Sequence, residues 1–308
     1  MVLGYILKKR HMLTDEFVSV CNKFNFKVTL PVMLFRDIAR TDMITDFDGS
    51  YILFCALATT TAFLGIWLFA ALFIKDKTET GAFVQASYRS SAAVLGVAFI
   101  QNIYGNSGMA PMMIIGSVPL FNIYAVIVLT MNASDSASQN KAANIKKAAV
   151  NVLKNPIIIA IFLGMAASLL MSRFPSAGDT LAYGIADKML GSISSLASPL
   201  ALIAIGAGFE FSAAIKKLRP TIIASVIKLV ILPAVIIPTA IHFGFTDEKL
   251  IALIIMSGSP TTPSSYIMAK NMNNDAVLTS GVVMLTTILS SVTLTFWIFI
   301  TRSGGYIR

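Results

Sequence analysis

The sequence predicts an all-α polytopic membrane protein, on the basis of its composition and of the length of its apolar stretches. Of the 308 residues, 56% are hydrophobic and 13% are charged, and the mean hydropathy is +0.77. A soluble domain contains about 25% charged residues. Apolar stretches of about 20 residues, enough to cross a bilayer core, recur along the chain. A transmembrane β-barrel would instead show alternating segments of about ten residues.

Nine apolar stretches are long enough to span a membrane. We place them at residues 16–39, 51–74, 81–104, 108–131, 156–173, 191–210, 220–243, 248–271 and 276–300. Before the first of them, the segment VLGYIL is too short to cross alone, and it is typical of the end of a helix. The expected architecture is therefore a ten-helix carrier bundle in which helix 1 is largely truncated.

The longest polar stretch, residues 132–155, divides the chain into two halves. It contains four lysines and predicts a cytoplasmic linker that ends in a short amphipathic helix. We expect residues 1–131 to form a five-helix repeat with an incomplete first helix. Residues 156–308 are expected to form a second five-helix repeat.

The two halves can be aligned at an offset of 168 residues. Pro199 follows Pro31 by that distance, and Asn274 follows Asn106 by the same distance. The starts of the predicted spans keep nearly the same offset. Because internal repeats are common in carriers, we interpret the two halves as structural repeats.

The distribution of lysine and arginine predicts the topology. Thirteen of these residues fall in loops on one side of the predicted spans, and five fall on the other side. The richer side is cytoplasmic by the positive-inside rule, which places both termini outside. Five spans per repeat is an odd number, so the second repeat would be inverted. The net charge of +9 then reflects topology and not a nucleic-acid partner.

One predicted span is interrupted at its centre. Residues 254–275 read IIMSGSPTTPSSYIMAKNMNND, with two prolines and six serine or threonine side chains inside an apolar context. Proline removes a backbone donor, and freed backbone groups are tolerated at membrane depth only where protein, water or ligand satisfies them. The alternative is a kinked helix that only packs against its neighbours. We predict a substrate-binding break formed by Ser259, Pro260, Thr261, Thr262, Pro263 and Ser264.

The corresponding segment of the first half has no proline. It reads SYRSSAAVLGVAFIQNIYGNSG at residues 87–108. We expect its small and polar residues to contact the substrate from the side opposite the break at 259–264. These residues are Ser91, Gly96 and Asn102.

Two cations are predicted to lie inside the membrane. Lys228 follows Arg219 by nine residues, which at 1.5 Å per residue is about 13 Å along a helix. Arg89 lies nearer the cytoplasmic end of its span. Intramembrane charges usually face a cavity or a partner, so both are candidates for binding an anion, and Lys228 also for proton coupling. The alternative is that each extends to the surface or pairs with a carboxylate such as Glu210.

The quoted segments resemble the auxin efflux carrier family. YRSSAAVLGVAFIQNIYG is similar to the motif of that family's fourth helix, and SPTTPSSYIMAKNMNNDAVLTSGVVMLTTILSS is similar to its C-terminal half. In the family the fourth-helix motif usually reads Asn-x-x-x-x-Gly-x-Pro. Here Ser91 replaces the asparagine and Ala98 replaces the proline, whereas Gly96 is kept.

The resemblance implies a carrier of the bile acid/arsenite/riboflavin transporter type. Its two inverted five-helix repeats would cross their broken fourth and ninth helices at the substrate site. Bacterial members are linked to small organic anions such as malate or malonate, and plant members export auxin. We therefore expect a transporter in the plasma membrane, the inner membrane of a bacterium, with a malate- or malonate-like carboxylate or an auxin-like acid as its substrate.

A channel or a membrane receptor for a small solute is the alternative function. The predicted spans contain no HExxH, no GxSxG and no paired aspartates, so we do not expect an enzyme. The expected partners are a small anionic substrate and the lipid bilayer. No cofactor is expected, and coupling to H⁺ or Na⁺ and the formation of a homodimer are left open.

Overall fold

The computed structural model describes residues 1–40, 48–92, 109–133, 153–174 and 180–307, together with the single positions Ile100 and Val150. Throughout these residues the regular structure is helical. The helices, in chain order, are α1 (Val2–Lys9), α2 (Asp15–Phe24), α3 (Leu30–Ala39), α4 (Gly49–Phe73), α5 (Lys77–Tyr88), α6 (Ala110–Asn132), α7 (Pro156–Arg173), α8 (Leu181–Ser195), α9 (Ala197–Ala207), α10 (Phe211–Lys216), α11 (Leu218–Val226), α12 (Leu232–His242), α13 (Asp247–Gly258), α14 (Ser264–Asn271) and α15 (Ala276–Ser303).

Six helical segments among the described residues are long and apolar enough to cross a membrane. They are Gly49–Phe73, Ala110–Asn132, Pro156–Arg173, Tyr183–Ala207, Leu218–His242 and Ala276–Ser303. The prediction of an all-helical, multi-pass membrane protein is therefore confirmed. The linker predicted at residues 132–155 lies mostly outside the described residues.

The predicted span at residues 191–210 begins too late. Its helix starts at Leu181, and only a single turn at Leu196 separates α8 from α9. The early part of this helix contains a charged residue, Asp187. In the structure that carboxylate is paired with Arg36 of α3 at 3.0 Å and also contacts Arg40, so the helix accommodates it.

Two π-helical turns widen the long helices. Asn25–Thr29 joins α2 to α3, and Ile227–Ile231 joins α11 to α12. Each precedes a proline, Pro31 or Pro233, which cannot donate to the carbonyl four residues earlier. In the second case that carbonyl is Leu229 O, and the indole Nε1 of Trp297 donates to it at 3.0 Å.

Many large apolar side chains face outward, and several polar side chains face inward. Along α4, for example, Leu57, Leu64 and Leu68 are each more than half exposed, whereas Thr59 is only 2% exposed. A bilayer is a good solvent for exposed leucines. This distribution is what a membrane-embedded bundle requires.

The helices pack into two bundles. We call α1–α3 and α7–α9 the support bundle, in which α3 packs along α7 and α1 packs along α9. We call α4–α6 and α11–α15 the site bundle. The two bundles touch mainly where α14 meets α2 and α9, and where α6 meets α7.

Ion pairs tie helix ends together within the site bundle. Lys249 at the start of α13 reaches Asp48 at the start of α4 at 2.5 Å, and Lys217 before α11 reaches Glu79 of α5 at 2.7 Å and Asp275 at 3.0 Å. The hydrogen bond from Lys249 holds the pKa of the Asp48 carboxyl well below its usual value. Burial opposes the charge of Lys217, but the hydrogen bonds to its two carboxylates raise its pKa above the usual value.

Candidate functional site

The helix break lies between α13 and α14. Helix α13 ends at Gly258, Ser259 is extended, and α14 begins at Ser264. Pro260 and Pro263 have no N–H to donate, and this stretch is nonetheless largely enclosed: Ser259 is 0% exposed and Thr261 is 1% exposed. The backbone here therefore needs partners from neighbouring helices.

A second interruption supplies those partners. Helix α5 ends at Tyr88, and Arg89 is extended. The backbone N–H of Ser91 donates to Pro260 O at 3.0 Å, and the hydroxyls of Ser90 and Ser259 contact each other. We call residues 89–91 together with residues 259–263 the junction.

The hydrogen bonds across the junction are reciprocal. Ser90 Oγ donates to Ile255 O in the last turn of α13 at 3.3 Å. Thr261 Oγ1 donates to Ala86 O in the last turn of α5 at 2.7 Å. Each segment thus donates a hydroxyl to a carbonyl in the last turn of the other helix. Thr261 N is satisfied in turn by Thr286 Oγ1 of α15 at 3.1 Å.

Arg89 lies at the junction and is only 3% exposed. Its guanidinium donates to neutral groups on three helices, and its Nε has no hydrogen-bond partner among the described residues. The acceptors are Asn122 Oδ1 at 2.7 Å, Met268 Sδ at 2.9 Å, Ser264 Oγ at 3.1 Å, and Gln85 Oε1 and Ser265 Oγ at 3.4 Å.

Lys228 is the second buried cation, with an exposure of 0%. It lies in the π turn between α11 and α12. Its Nζ is 2.5 Å from Ser257 O and 3.5 Å from Met256 O, the carbonyls at the C-terminal end of α13.

Neither cation has an acidic side chain within ion-pair distance in the described part of the chain. Glu210, the carboxylate that the sequence argument considered as a partner, is exposed to solvent at the start of α10. Because Arg89 and Lys228 are also fully enclosed, neither extends its charge to the surface.

The structure brings together most of the residues that the sequence predicted for the site. Arg89, Ser91, Ser259, Pro260 and Thr261 meet at the junction. Thr262 and Pro263 belong to the junction and are partly exposed, Ser264 contacts Arg89, and Lys228 contacts the end of α13. Gly96 and Asn102 lie outside the described residues.

Sequence reasoning missed several polar contacts of the site. Asn122 is the nearest oxygen acceptor of Arg89, and Thr286 holds the backbone of the break. An asparagine in the middle of the apolar helix α6 was a usable signal, because buried amides need hydrogen bonds. Trp297 is also missing from the predicted polar contacts, because only the packing of α15 places its indole Nε1 opposite Leu229 O.

The described residues define a multi-pass helical membrane protein with a polar centre where two helices are interrupted. A family model described as "Membrane transport protein" matches residues 1–298. The chain belongs to this family of membrane transporters. The resemblance to the auxin efflux carriers is thereby confirmed.

Similar proteins are found in bacteria and archaea. An "Uncharacterized transporter" of Methanothermobacter thermautotrophicus is 24% identical over 96% of this chain and 93% of its own length. The "Uncharacterized transporter YfdV" of Escherichia coli is 24% identical over 98% of this chain and 94% of its own. A protein of Rhizobium meliloti named "Putative malonate transporter" is 22% identical over 98% of this chain and 93% of its own.

Proposed function

We propose that this protein is a secondary carrier of a small organic anion, with malonate- and malate-like carboxylates as the first substrates to test and auxin-like acids as the second. The substrate binds beside the junction, and the two bundles move against each other to expose it alternately on the two sides of the membrane. The name of the Rhizobium meliloti relative is consistent with this substrate class.

The environment of Arg89 is the observation that carries the proposal. A charge buried without a counter-charge costs several kcal/mol, and the described partners of Arg89 are all neutral. Two of them, Ser264 and Ser265, form the first turn of α14, whose N-terminal end carries a partial positive charge. A guanidinium and a helix N-terminus that face the same place favour an anion there, and a carboxylate accepts from a guanidinium with good geometry.

The carrier mechanism is supported by a repeated arrangement of ion pairs. At the offset of 168 residues, Asp48 aligns one position from Lys217, and Glu79 aligns two positions from Lys249. The pair Asp48–Lys249 and the pair Lys217–Glu79 are therefore equivalent, with the signs of the charges exchanged. In the proposed repeats, Asp48–Lys249 joins the start of the third helix of the first repeat to the start of the fourth helix of the second. Lys217–Glu79 joins the start of the third helix of the second repeat to the start of the fourth helix of the first.

Helix packing supports the same repeat. Helix α1 of the first half packs along α9 of the second, and α3 of the first half packs along α7 of the second. Within the halves, α4 packs on α6 as α11 packs on α15. Two inverted repeats whose fourth and ninth helices are interrupted at the junction would pack in this way, and inverted repeats of this kind underlie alternating access.

The proposed orientation follows the positive-inside rule, with both termini outside and residues 132–155 in the cytoplasm of a cell whose plasma membrane holds the carrier. Lys217 and Glu79 then lie near the inner face, and Lys249 and Asp48 near the outer face.

Thermal unfolding of the purified protein with a panel of carboxylates tests the substrate class. A ligand that binds only the folded state raises the melting temperature. The proposal predicts a saturable rise with at least one small mono- or dicarboxylate and no rise with the matched neutral amide. A rise with neutral solutes alone would contradict an anionic substrate.

Counterflow in proteoliposomes then separates a carrier from the other functions. A carrier accumulates labelled substrate transiently when unlabelled substrate is preloaded, because its binding site is exposed to one side at a time. A channel conducts without this effect, and a receptor binds without flux.

A further inference from the structure

The C-terminal end of α13 lies inside the site bundle, where Met256 and Ser257 are each only 2% exposed. The last carbonyls of a helix have no partner within it, and they carry a partial negative charge. Ile255 O accepts from Ser259 N at 3.0 Å and from Ser90 Oγ at 3.3 Å. Among the described residues, the ammonium of Lys228 is the one group that donates to the carbonyls of Met256 and Ser257.

Carbonyls at the ends of interrupted helices are also the ligands that bind sodium ions in many carriers. The ammonium of Lys228 has the same charge as Na⁺ and meets two such carbonyls from one side. The residue is completely buried, and in the same π turn Leu229 O accepts from Trp297 Nε1.

We propose that Lys228 is a built-in cation, whose ammonium takes the position at the end of α13 that a bound monovalent metal ion would otherwise occupy. The unmodified protein then needs no sodium at this position. The assignment deepens the proposed function by excluding sodium coupling through the end of α13, but the contact of the ammonium with the two carbonyls does not depend on what is transported.

The consequence for a variant is specific. Replacing Lys228 by alanine removes the charge and leaves a space bounded by the carbonyls of Met256 and Ser257. That space is a site for Na⁺, Li⁺ or K⁺. Replacing Lys228 by methionine also removes the charge, but the longer side chain fills the space. Replacing it by arginine keeps the charge.

The test is thermal unfolding of the purified proteins in NaCl, LiCl, KCl and choline chloride at equal ionic strength. The wild-type protein and Lys228→Arg are expected to melt at the same temperature in all four salts. In choline chloride, Lys228→Ala is expected to have a lower melting temperature than the wild type. One of the metal ions is expected to raise the melting temperature of this variant saturably, by at least about 2–4 °C. Lys228→Met is expected to melt lower without recovery, and Lys270→Met, which changes an exposed lysine of α14, is expected to match the wild type.

Three results would overturn the proposal. The first is a saturable rise in the melting temperature of the wild-type protein with Na⁺. The second is a melting temperature of Lys228→Ala in choline chloride that equals that of the wild type. The third is a melting temperature of Lys228→Ala that none of the metal ions raises. If Lys228→Ala cannot be purified, the wild-type measurement still decides. Because no organic anion is present, the result is independent of whether the protein transports one.

Discussion

Arg89 and Lys228 are both buried cations, but their surroundings differ. Lys228 is compensated by the negative end of α13, whereas the guanidinium of Arg89 donates to side chains at the positive end of α14. Helix α5 ends beside Arg89, so its carbonyls offset part of the charge, but the guanidinium donates to none of them. We therefore propose different functions for the two residues: Lys228 holds the end of a helix, and Arg89 binds an anion.

Arg89→Gln is expected to weaken binding of the carboxylate by about tenfold to a hundredfold, because a hydrogen bond to a charged group contributes about 1.5–3 kcal/mol. Arg89→Lys keeps the charge but loses the planar guanidinium with its paired N–H donors. Its affinity for the carboxylate is therefore expected to lie between that of the wild type and that of Arg89→Gln. Titration of the melting temperature with malonate measures both. The control is Lys270→Gln, and a titration of Arg89→Gln identical to the wild type would exclude Arg89 from the binding site.

Asp48 gives a pH-dependent prediction at the end of α4. Its folded pKa is lowered by the hydrogen bond from Lys249, so the carboxylate stabilises the fold above its unfolded pKa of about 4 and loses that effect as the pH falls further. Asp48→Asn is expected to lower the melting temperature by about 1–3 °C at pH 7. The difference from the wild type should shrink at about pH 3, and a difference that stays constant with pH would contradict the ion pair.

At the scale of helices, the interruption after Gly258 depends on its prolines. Restoring N–H donors with Pro260→Ala and Pro263→Ala lets α13 and α14 join, which would remove the backbone contact between Ser91 and Pro260. The double variant is expected to reach the membrane but to lose transport. Uptake is measured together with the amount of protein in the membrane, and wild-type rates per molecule would show that the break is not needed.

The two interruptions were not equally predictable from the sequence. Two prolines within four residues mark the end of α13 directly. Helix α5 ends without a proline, and Arg89 is extended because Ser90 and Ser91 bond to the other break, a contact between residues about 170 positions apart. A long-range partner also explains the early start of α8, where Asp187 pairs with Arg36. Another explains why the ammonium of Lys228 contacts backbone carbonyls and not a carboxylate.

At the scale of the whole molecule, the composition, the positions of the apolar stretches and the offset between the halves were sufficient to predict a multi-pass helical membrane protein. The division into a support bundle and a site bundle was not readable, because it depends on which helices of opposite halves pack together, as α1 does with α9.

Labelling of single cysteines with a membrane-impermeant maleimide tests the proposed topology. The native Cys21 and Cys55 are buried and are replaced by alanine. In intact cells, Ser303→Cys at the last residue of α15 is expected to react, and Lys77→Cys at the first residue of α5 is expected to react only after permeabilisation. Both positions are exposed in the structure. The opposite pattern would reverse the orientation, and labelling of both in intact cells would contradict the inverted repeat.

The most direct test of the central claim is exchange of labelled malonate in proteoliposomes that contain either the wild-type protein or Arg89→Gln. We predict that uptake by the wild type saturates, accelerates when unlabelled malonate is preloaded, and is competed by malate, whereas Arg89→Gln shows at least a tenfold loss at subsaturating substrate. If neither malonate nor any other small carboxylate is exchanged, or if Arg89→Gln exchanges it as fast as the wild type, an organic-anion carrier centred on Arg89 is contradicted.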